Sequence, residues 1–523
     1  MLRRRPLAGT RWARLCALAA ALLGLLAAGG WGLAQTTSGA APAVPRDAQS
    51  TRGALSLAGQ AIPGADWPEF DYDPQRSGVG PADTGIEAGD VGLLTLRTVR
   101  IGGIVDSSAV ELHDVEVDGR VRDVVAVTTT YGDTIAIDPA TGRLLWEFRP
   151  RGVDSAPGNP QVTTATPAID PDRAYIYTAS PNGVIHKLAI ATGRQVWARS
   201  VTLDPAHEKL ASAINIDGPW VVVATGGYIG DIPPYDGHVV TLSRATGRIV
   251  HVFNTMCSDR HRLIAARSCP GTNTNGDDAI WARAGAVVEP GSGRLLVATG
   301  NGPFNGRTYW GDSVLELSAD AGALLHNWTP TDQARLDAGD IDLGSTAPAL
   351  VPGPDGMRLA VQGGKDGRLH LLNLSRLDGT TGGASPRLGG ELSEIAAPGG
   401  AQVFTAPAVL SAAGRTLVFV ADGSGTAAYR VVGGSRPRLA FAWQDSTPGT
   451  SPVVAGGLLY VYDPSGAIDI RNPLTGALLR SVPAAPGHWN SPIVVGGRIV
   501  EPTGAYGSSA RFSTIYIYHL PGA

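Results

Sequence analysis

Asp138-Pro139-Ala140-Thr141-Gly142-Arg143-Leu144-Leu145-Trp146 decides the fold of this chain, because it recurs. Ala189-Ile190-Ala191-Thr192-Gly193-Arg194-Gln195-Val196-Trp197 repeats it, and Ser243-Arg244-Ala245-Thr246-Gly247-Arg248-Ile249-Val250-His251 repeats it again. Weaker copies run from Ser318 to His326 and from Asn472 to Arg480. The first copies lie roughly 50 residues apart, the period of a four-stranded propeller blade. In each unit a strand such as Thr134-Ile135-Ala136-Ile137 runs into a tight turn. The turn's Thr can bond the backbone and its Gly supplies a positive φ. The strand that follows carries an aromatic able to pack between neighbouring blades.

A second mark opens the blades: Ser107-Ser108-Ala109, Thr166-Pro167-Ala168, Ser212-Ala213-Ile214, Thr346-Ala347-Pro348, Thr405-Ala406-Pro407, Ser451-Pro452-Val453 and Ser491-Pro492-Ile493. Pro is tolerated at the first residue of a strand, where no ladder donor is needed. With the blade around Ala284-Gly285-Ala286, these marks predict an all-β, eight-bladed β-propeller. The last blade runs from Trp489 to the C-terminus, and a strand near Leu94 to Val99 is expected to close the ring beside it. A solenoid or a pair of sandwiches could share the strand count, but neither explains the paired marks.

Composition agrees. The 523 residues include 69 Gly and 38 Pro, a turn-rich usage, and one large β-fold can hold such a length. Arg3, Arg4, Arg5, Arg11 and Arg14 precede an apolar run from Leu15 to about Ala28, and Gly32-Leu33-Ala34 offers small residues for cleavage. Residues 1–34 therefore read as a signal peptide, with an uncleaved anchor as the alternative, and the protein is expected to be exported, periplasmic or extracellular. Removal would take the formal charge from −4 to −9, which argues against nucleic acid and anionic membranes as partners. Residues 35–65 read as a disordered linker and 66–523 as the propeller. Nothing after residue 34 is long and apolar enough to span a bilayer. Cys257 and Cys269 form an even pair in an exported chain and are read as a disulfide, two buried thiols being the alternative. No C-x-x-C-H occurs, so a covalently attached c-type haem is not expected.

The unit from Asp138 to Trp146 resembles the repeat of the quinoprotein alcohol dehydrogenase-like family, from Trp67 to the end of the chain. Enzymes of that family bind pyrroloquinoline quinone (PQQ) and Ca²⁺ at the centre of an eight-bladed propeller. The same blades also resemble an outer-membrane assembly scaffold that binds no PQQ. Fold alone therefore leaves two functions open: a dehydrogenase of alcohols or sugars with a separate electron acceptor, or a scaffold binding an extracytoplasmic protein or polymer.

Four segments match the enzymes in order. Ile280-Trp281-Ala282 is similar to the segment whose Trp stacks under the quinone, and Thr299-Gly300-Asn301 to the strand end whose Asn ligates Ca²⁺. Asp340 and Asp342 fall in an acidic segment like the one carrying the catalytic base, with Asp340 also in reach of a metal. Lys365, in Gly364-Lys365-Asp366-Gly367, would stand over the quinone oxygen. The plainer alternatives are a blade-packing Trp281, a turn residue at Asn301, rim acids at Asp340 and Asp342, and a hairpin lysine at Lys365. Two departures weigh against the enzyme. Tyr228 stands where a glutamate ligand is expected, leaving Asp231 as a substitute, and the adjacent-cysteine lid is missing near Ala165-Thr166. The loop from Met256 to Asp278 and the cluster from Phe304 to Trp310 read as elaborations of one propeller face.

Overall fold

Each blade-opening mark is followed within three residues by an innermost strand, and strands pair with their sequence neighbours except where the ring closes. The computed structural model describes residues 66–522, apart from 157, 229–231, 270–277, 378–387, 413 and 506–509. The expected signal peptide and linker lie outside the described residues. Eight four-stranded antiparallel sheets result. Blades 1 to 7 span 110–148, 168–200, 215–254, 287–328, 349–396, 408–445 and 453–483. Blade 8 takes three strands from 493–519 and its fourth from the N-terminal side, Thr95–Gly102. That strand runs antiparallel to Phe512–His519, with Thr95 opposite His519 and Gly102 opposite Phe512. The expected closing strand is thus present, shifted slightly toward the C-terminus. It completes the last blade with a strand from the start of the ring, tying the two ends of the propeller together.

The repeat explains how blades hold one another. Trp146, on the outer strand of blade 1, donates from Nε1 to the Ile190 carbonyl of blade 2 at 2.7 Å. Its ring lies on Gly193, where a Cβ would come within 2.5 Å of ring carbon Cε3, and Gly193 has φ +66°. Trp197 sits in the same way on Gly247, and Trp443 on Gly476. Glycine is therefore required twice at this position, by the left-handed turn and by the ring above it. Blade 3 carries His251 in place of the aromatic, and it pairs with Asp320 at 3.2 Å. There the left-handed residue is Ala321 (φ 57°), one position before the glycine of the repeat.

The second mark ties blades together at the hub. Ser108 N–H donates to Thr166 Oγ1 (3.1 Å), Thr346 Oγ1 to the Thr405 carbonyl (2.6 Å), and Ala406 N–H to Ser451 Oγ (2.9 Å). The small residues of the mark have their own cause. Ala213, Ala284, Ala347 and Ala406 form one buried cluster with Phe70. Phe70 belongs to segment 67–81, which the sequence reading did not single out. This segment bonds along the inner strands: Trp67 with Glu111, Pro68 with Ile169, Pro74 with Val288, Ser77 with Val409, and Gly78 and Gly80 with Val454. Arg76 reaches the carbonyls of Ile214 and Ala284 and pairs with Glu69 at 3.0 Å, all buried. The segment closes one end of the hub.

Cys257 and Cys269 are joined as a disulfide, with 5.9 Å between their Cα atoms. They pack with Met256 and Ile264 against Tyr309, and Trp310 donates to Ser258 Oγ at 2.9 Å. The loop and the aromatic cluster thus brace one another. No helix among the described residues is long and apolar enough to cross a membrane.

Gly193→Ala is expected to lower the melting temperature more than Gly119→Ala. Gly119 shares the left-handed backbone (φ +69°) but has open space around it. The shared strain costs about 1–2 kcal/mol, and the collision with Trp146 adds about 1–3 kcal/mol. Equal losses in a thermal melt would show that the ring-on-glycine contact is not a blade clamp.

Candidate functional site

Every inner strand starts at the same end of the ring, so the loops leading into them converge there. They enclose a cavity of 670 Å³ lined by residues of seven blades, among them Asp106, Lys209, Trp281, Arg283, Phe404 and His488. With the other end closed by segment 67–81, the hub is a pocket rather than a pore.

Four of the residues singled out by sequence meet at this cavity: Trp281, Asp340, Asp342 and Lys365. Trp281 is half-buried, edge-on to Tyr235 with 5.5 Å between ring centroids. Gly227 and Gly300 let it settle, since a Cβ at either would come within 2.8 Å of its ring. Lys365 Nζ is 2.5 Å from Asp342 Oδ2 and 3.2 Å from Asp340 Oδ1. Burial opposes the charge on Lys365, but Asp342 and then Asp340 outweigh it and hold its pKa above the ordinary lysine value.

The two acids are not equivalent. The Asp342 side chain is 4% exposed and its Oδ1 accepts the Asn301 N–H at 2.9 Å, whereas Asp340 is 59% exposed on the rim. Asn301 stands beside the cavity and reaches it through that bond to Asp342. Asp231 lies outside the described residues.

The residues that the sequence reading missed are mostly charged. Lys209, Arg283 and Asp106 are all buried. Asp106 Oδ2 is 2.9 Å from His488 Nδ1, and its backbone carbonyl accepts from Arg283 Nη2 at 2.8 Å. Burial works to raise the Asp106 pKa, but the His488 hydrogen bond and the charges of His488, Arg283 and Lys209 hold it below the usual carboxylate value. Burial pushes the Lys209 amine down to about 8, with Asp106 opposing and Arg283 reinforcing. Arg283 Nε and Nη1 are buried with no hydrogen-bond partner among the described residues. A signal for these residues was present. Asp106, Thr164, Lys209, Arg283, Phe404 and His488 each stand within four positions before a blade-opening mark. That place in the chain delivers a side chain to the hub.

A divalent cation does not fit the described residues of the hub. Tyr228, at the position of the expected glutamate, is buried and donates its hydroxyl to the Pro205 carbonyl at 3.1 Å. Both oxygens of Asp342 already accept from Asn301 and Lys365, and Asp340 is held by the same ammonium. Calcium requires several free oxygen donors, carboxylates above all. The metal role assigned to Asn301 and Asp340 therefore lacks a ligand set among the described residues, and that of Asp231 falls outside them. A flat polyanion fits better, with Trp281 as a planar wall and Lys209, Arg283 and Lys365 as cations.

The fold is an eight-bladed β-propeller of PQQ-type repeats, similar to that of the quinoprotein alcohol dehydrogenases. A family model described as outer membrane protein assembly factor BamB matches residues 96–260. The dehydrogenase subunit of a quinone-dependent alcohol dehydrogenase from Acetobacter aceti is 27% identical over 356 residues, 60% of this chain and 44% of that protein. A polyvinylalcohol dehydrogenase from Sphingopyxis sp. (strain 113P3) is 26% identical over 219 residues, 40% of this chain and 32% of that one. The chain thus spans less than half the length of these curated relatives. The quinohemoprotein alcohol dehydrogenase of Comamonas testosteroni superposes with a TM-score of 0.65 at 15% identity, covering 88% of this chain and 81% of that one. A europium-containing methanol dehydrogenase gives 0.63 at 15%, covering 87% and 98%. Likeness at such identities establishes the fold alone.

The cost of burying the Lys209 ammonium makes stability depend on pH. Its folded pKa of about 8 lies below the ordinary 10.5, so the unfolded chain binds more protons between those values. Stability of the wild type relative to Lys209→Met should rise from pH 8 to 10.5, by about 3 kcal/mol at most. Denaturant melts across that range check this, and a flat difference would place Lys209 in contact with solvent.

Proposed function

We propose that this chain is an exported quinoprotein-type dehydrogenase that holds PQQ in its hub and oxidises an alcohol or sugar hydroxyl. A separate acceptor would take the electrons onward. The observation carrying this reading is the convergence of Trp281 with Lys209, Arg283 and Lys365 about one cavity. PQQ is flat and bears several carboxylates, so a planar wall and buried cations recognise both of its features. Arg283 offers two N–H groups that nothing among the described residues occupies.

When bound, PQQ supplies a two-electron acceptor. The chain's own residues have four tasks around it. Trp281 sets the plane, and Lys209 with Arg283 neutralises carboxylates. Lys365, fixed by Asp342, stabilises negative charge that develops on a ring oxygen. Phe404 and Trp489, 5.7 Å apart between centroids, narrow the cavity and exclude water. No step is assigned to calcium, given the missing ligands.

A scaffold reading is favoured by one observation, the match of residues 96–260 to an assembly-factor model. Titrating the purified protein with PQQ while following tryptophan fluorescence separates the two. The dehydrogenase reading expects saturable quenching that survives EDTA within about threefold. Lys365→Ala and Trp281→Leu should each weaken it about tenfold or more, with folding checked by melting temperature. Dye reduction with a panel of alcohols and sugars should follow binding. Absence of quenching and of any thermal shift with PQQ would overturn the reading in favour of the scaffold.

A further inference from the structure

We infer that His488, oriented by Asp106, is the proton acceptor of the hub, the role that the sequence assigned to Asp340 or Asp342. The inference rests on the quinone reading above and concerns only this chain's own residues.

The pair arises where the ring closes. Asp106 precedes the inner strand of blade 1 and His488 that of blade 8, so first and last blades each contribute one partner. Asp106 is 1% exposed, and its two oxygens face His488 Nδ1 at 2.9 Å and the Trp489 N–H at 3.2 Å. An ionised carboxylate only accepts hydrogen bonds, so in the neutral ring Nδ1 carries the hydrogen and Nε2 keeps a lone pair. The His488 ring lines the cavity, and Nε2 has no hydrogen-bond partner among the described residues. Among the described residues the other charged groups facing the pair are Arg283 and Lys209, which add to the His488 hydrogen bond in favouring the ionised form of Asp106. An imidazolium formed at His488 would face that carboxylate and be stabilised by it.

Asp342 lacks this freedom. Its Oδ1 accepts from Asn301 and its Oδ2 from Lys365, so each oxygen already has a donor. Asp340 is bound to the same lysine on the rim. These acids position Lys365, while His488 presents a vacant acceptor to the cavity. As an alcohol is oxidised, its O–H bond breaks and the proton goes to His488 Nε2. The O–H electron pair would form the carbonyl π bond, and a bound quinone would supply the acceptor for the hydride that leaves carbon with its pair. Two electrons and one proton reach the acceptor and one proton reaches the histidine. His488 is thus the catalytic base and Asp106 a positioning residue.

Two readouts test this. In cofactor-free protein with ¹⁵N-labelled histidine, the resonance lost in His488→Gln should report the Nδ1–H tautomer, and Asp106→Asn should erode that preference. In the second, His488→Gln and His488→Asn should bind PQQ within about threefold of wild type by fluorescence, yet lose dye-linked turnover about a hundredfold or more. If both variants turn over like wild type, or if His488 is the Nε2–H tautomer, the dyad is overturned while the quinone reading stands. If wild type binds no PQQ, both are overturned. An Asp106→Asn protein that melts early but leaves the His488 tautomer unchanged would make Asp106 structural only and overturn the orienting role.

Discussion

The contact between an indole ring and a left-handed glycine in the next blade governs this molecule. Trp146 on Gly193, Trp197 on Gly247 and Trp443 on Gly476 each fix the distance and tilt of one blade against its neighbour. The indole N–H bonds the carbonyl of the same turn, so the contact is directional as well as apolar. Repeating one tilt around an axis forces a ring. The ring must then be fastened where its two ends meet. Pairing of Thr95–Gly102 with Phe512–His519 fastens it, because a strand from the start of the ring completes the last blade.

Closure decides where chemistry can occur. All inner strands begin at one end of the axis, so loops far apart in sequence deliver their side chains to one place. The opposite end is occupied by segment 67–81, with Phe70 among the alanines of the blade-opening marks. Those alanines pack with the Phe70 ring in one buried cluster, where a larger side chain would collide. Burial then shapes the electrostatics of the open end. Lys209, Arg283 and Asp106 are removed from water close to one another, and Arg283 keeps two nitrogens without a hydrogen-bond partner among the described residues.

The comparison of site residues with sequence expectation divides by type of signal. Trp281, Asp342 and Lys365 were legible because they stand in short segments resembling a known family, and the structure brings all three to one cavity. Asp340 was legible as an acid but indistinguishable from Asp342, since exposure separates them and exposure is a property of packing. Asp106, Lys209, Arg283 and His488 escaped because none belongs to a recognisable motif. Each is recognisable only by its place just ahead of a blade-opening mark.

The sequence by itself determined the blade, the number of blades and the closing strand. Turn chemistry, strand period and an aromatic at fixed offset are local, and local patterns survive in one dimension. It also paired Cys257 with Cys269, which the structure joins. Only the tertiary structure decided which residues share the hub, that Tyr228 turns to Pro205, and that Asp106 meets His488. Those facts depend on contacts between residues hundreds of positions apart, 382 for Asp106 and His488, set when the ring closes and not before.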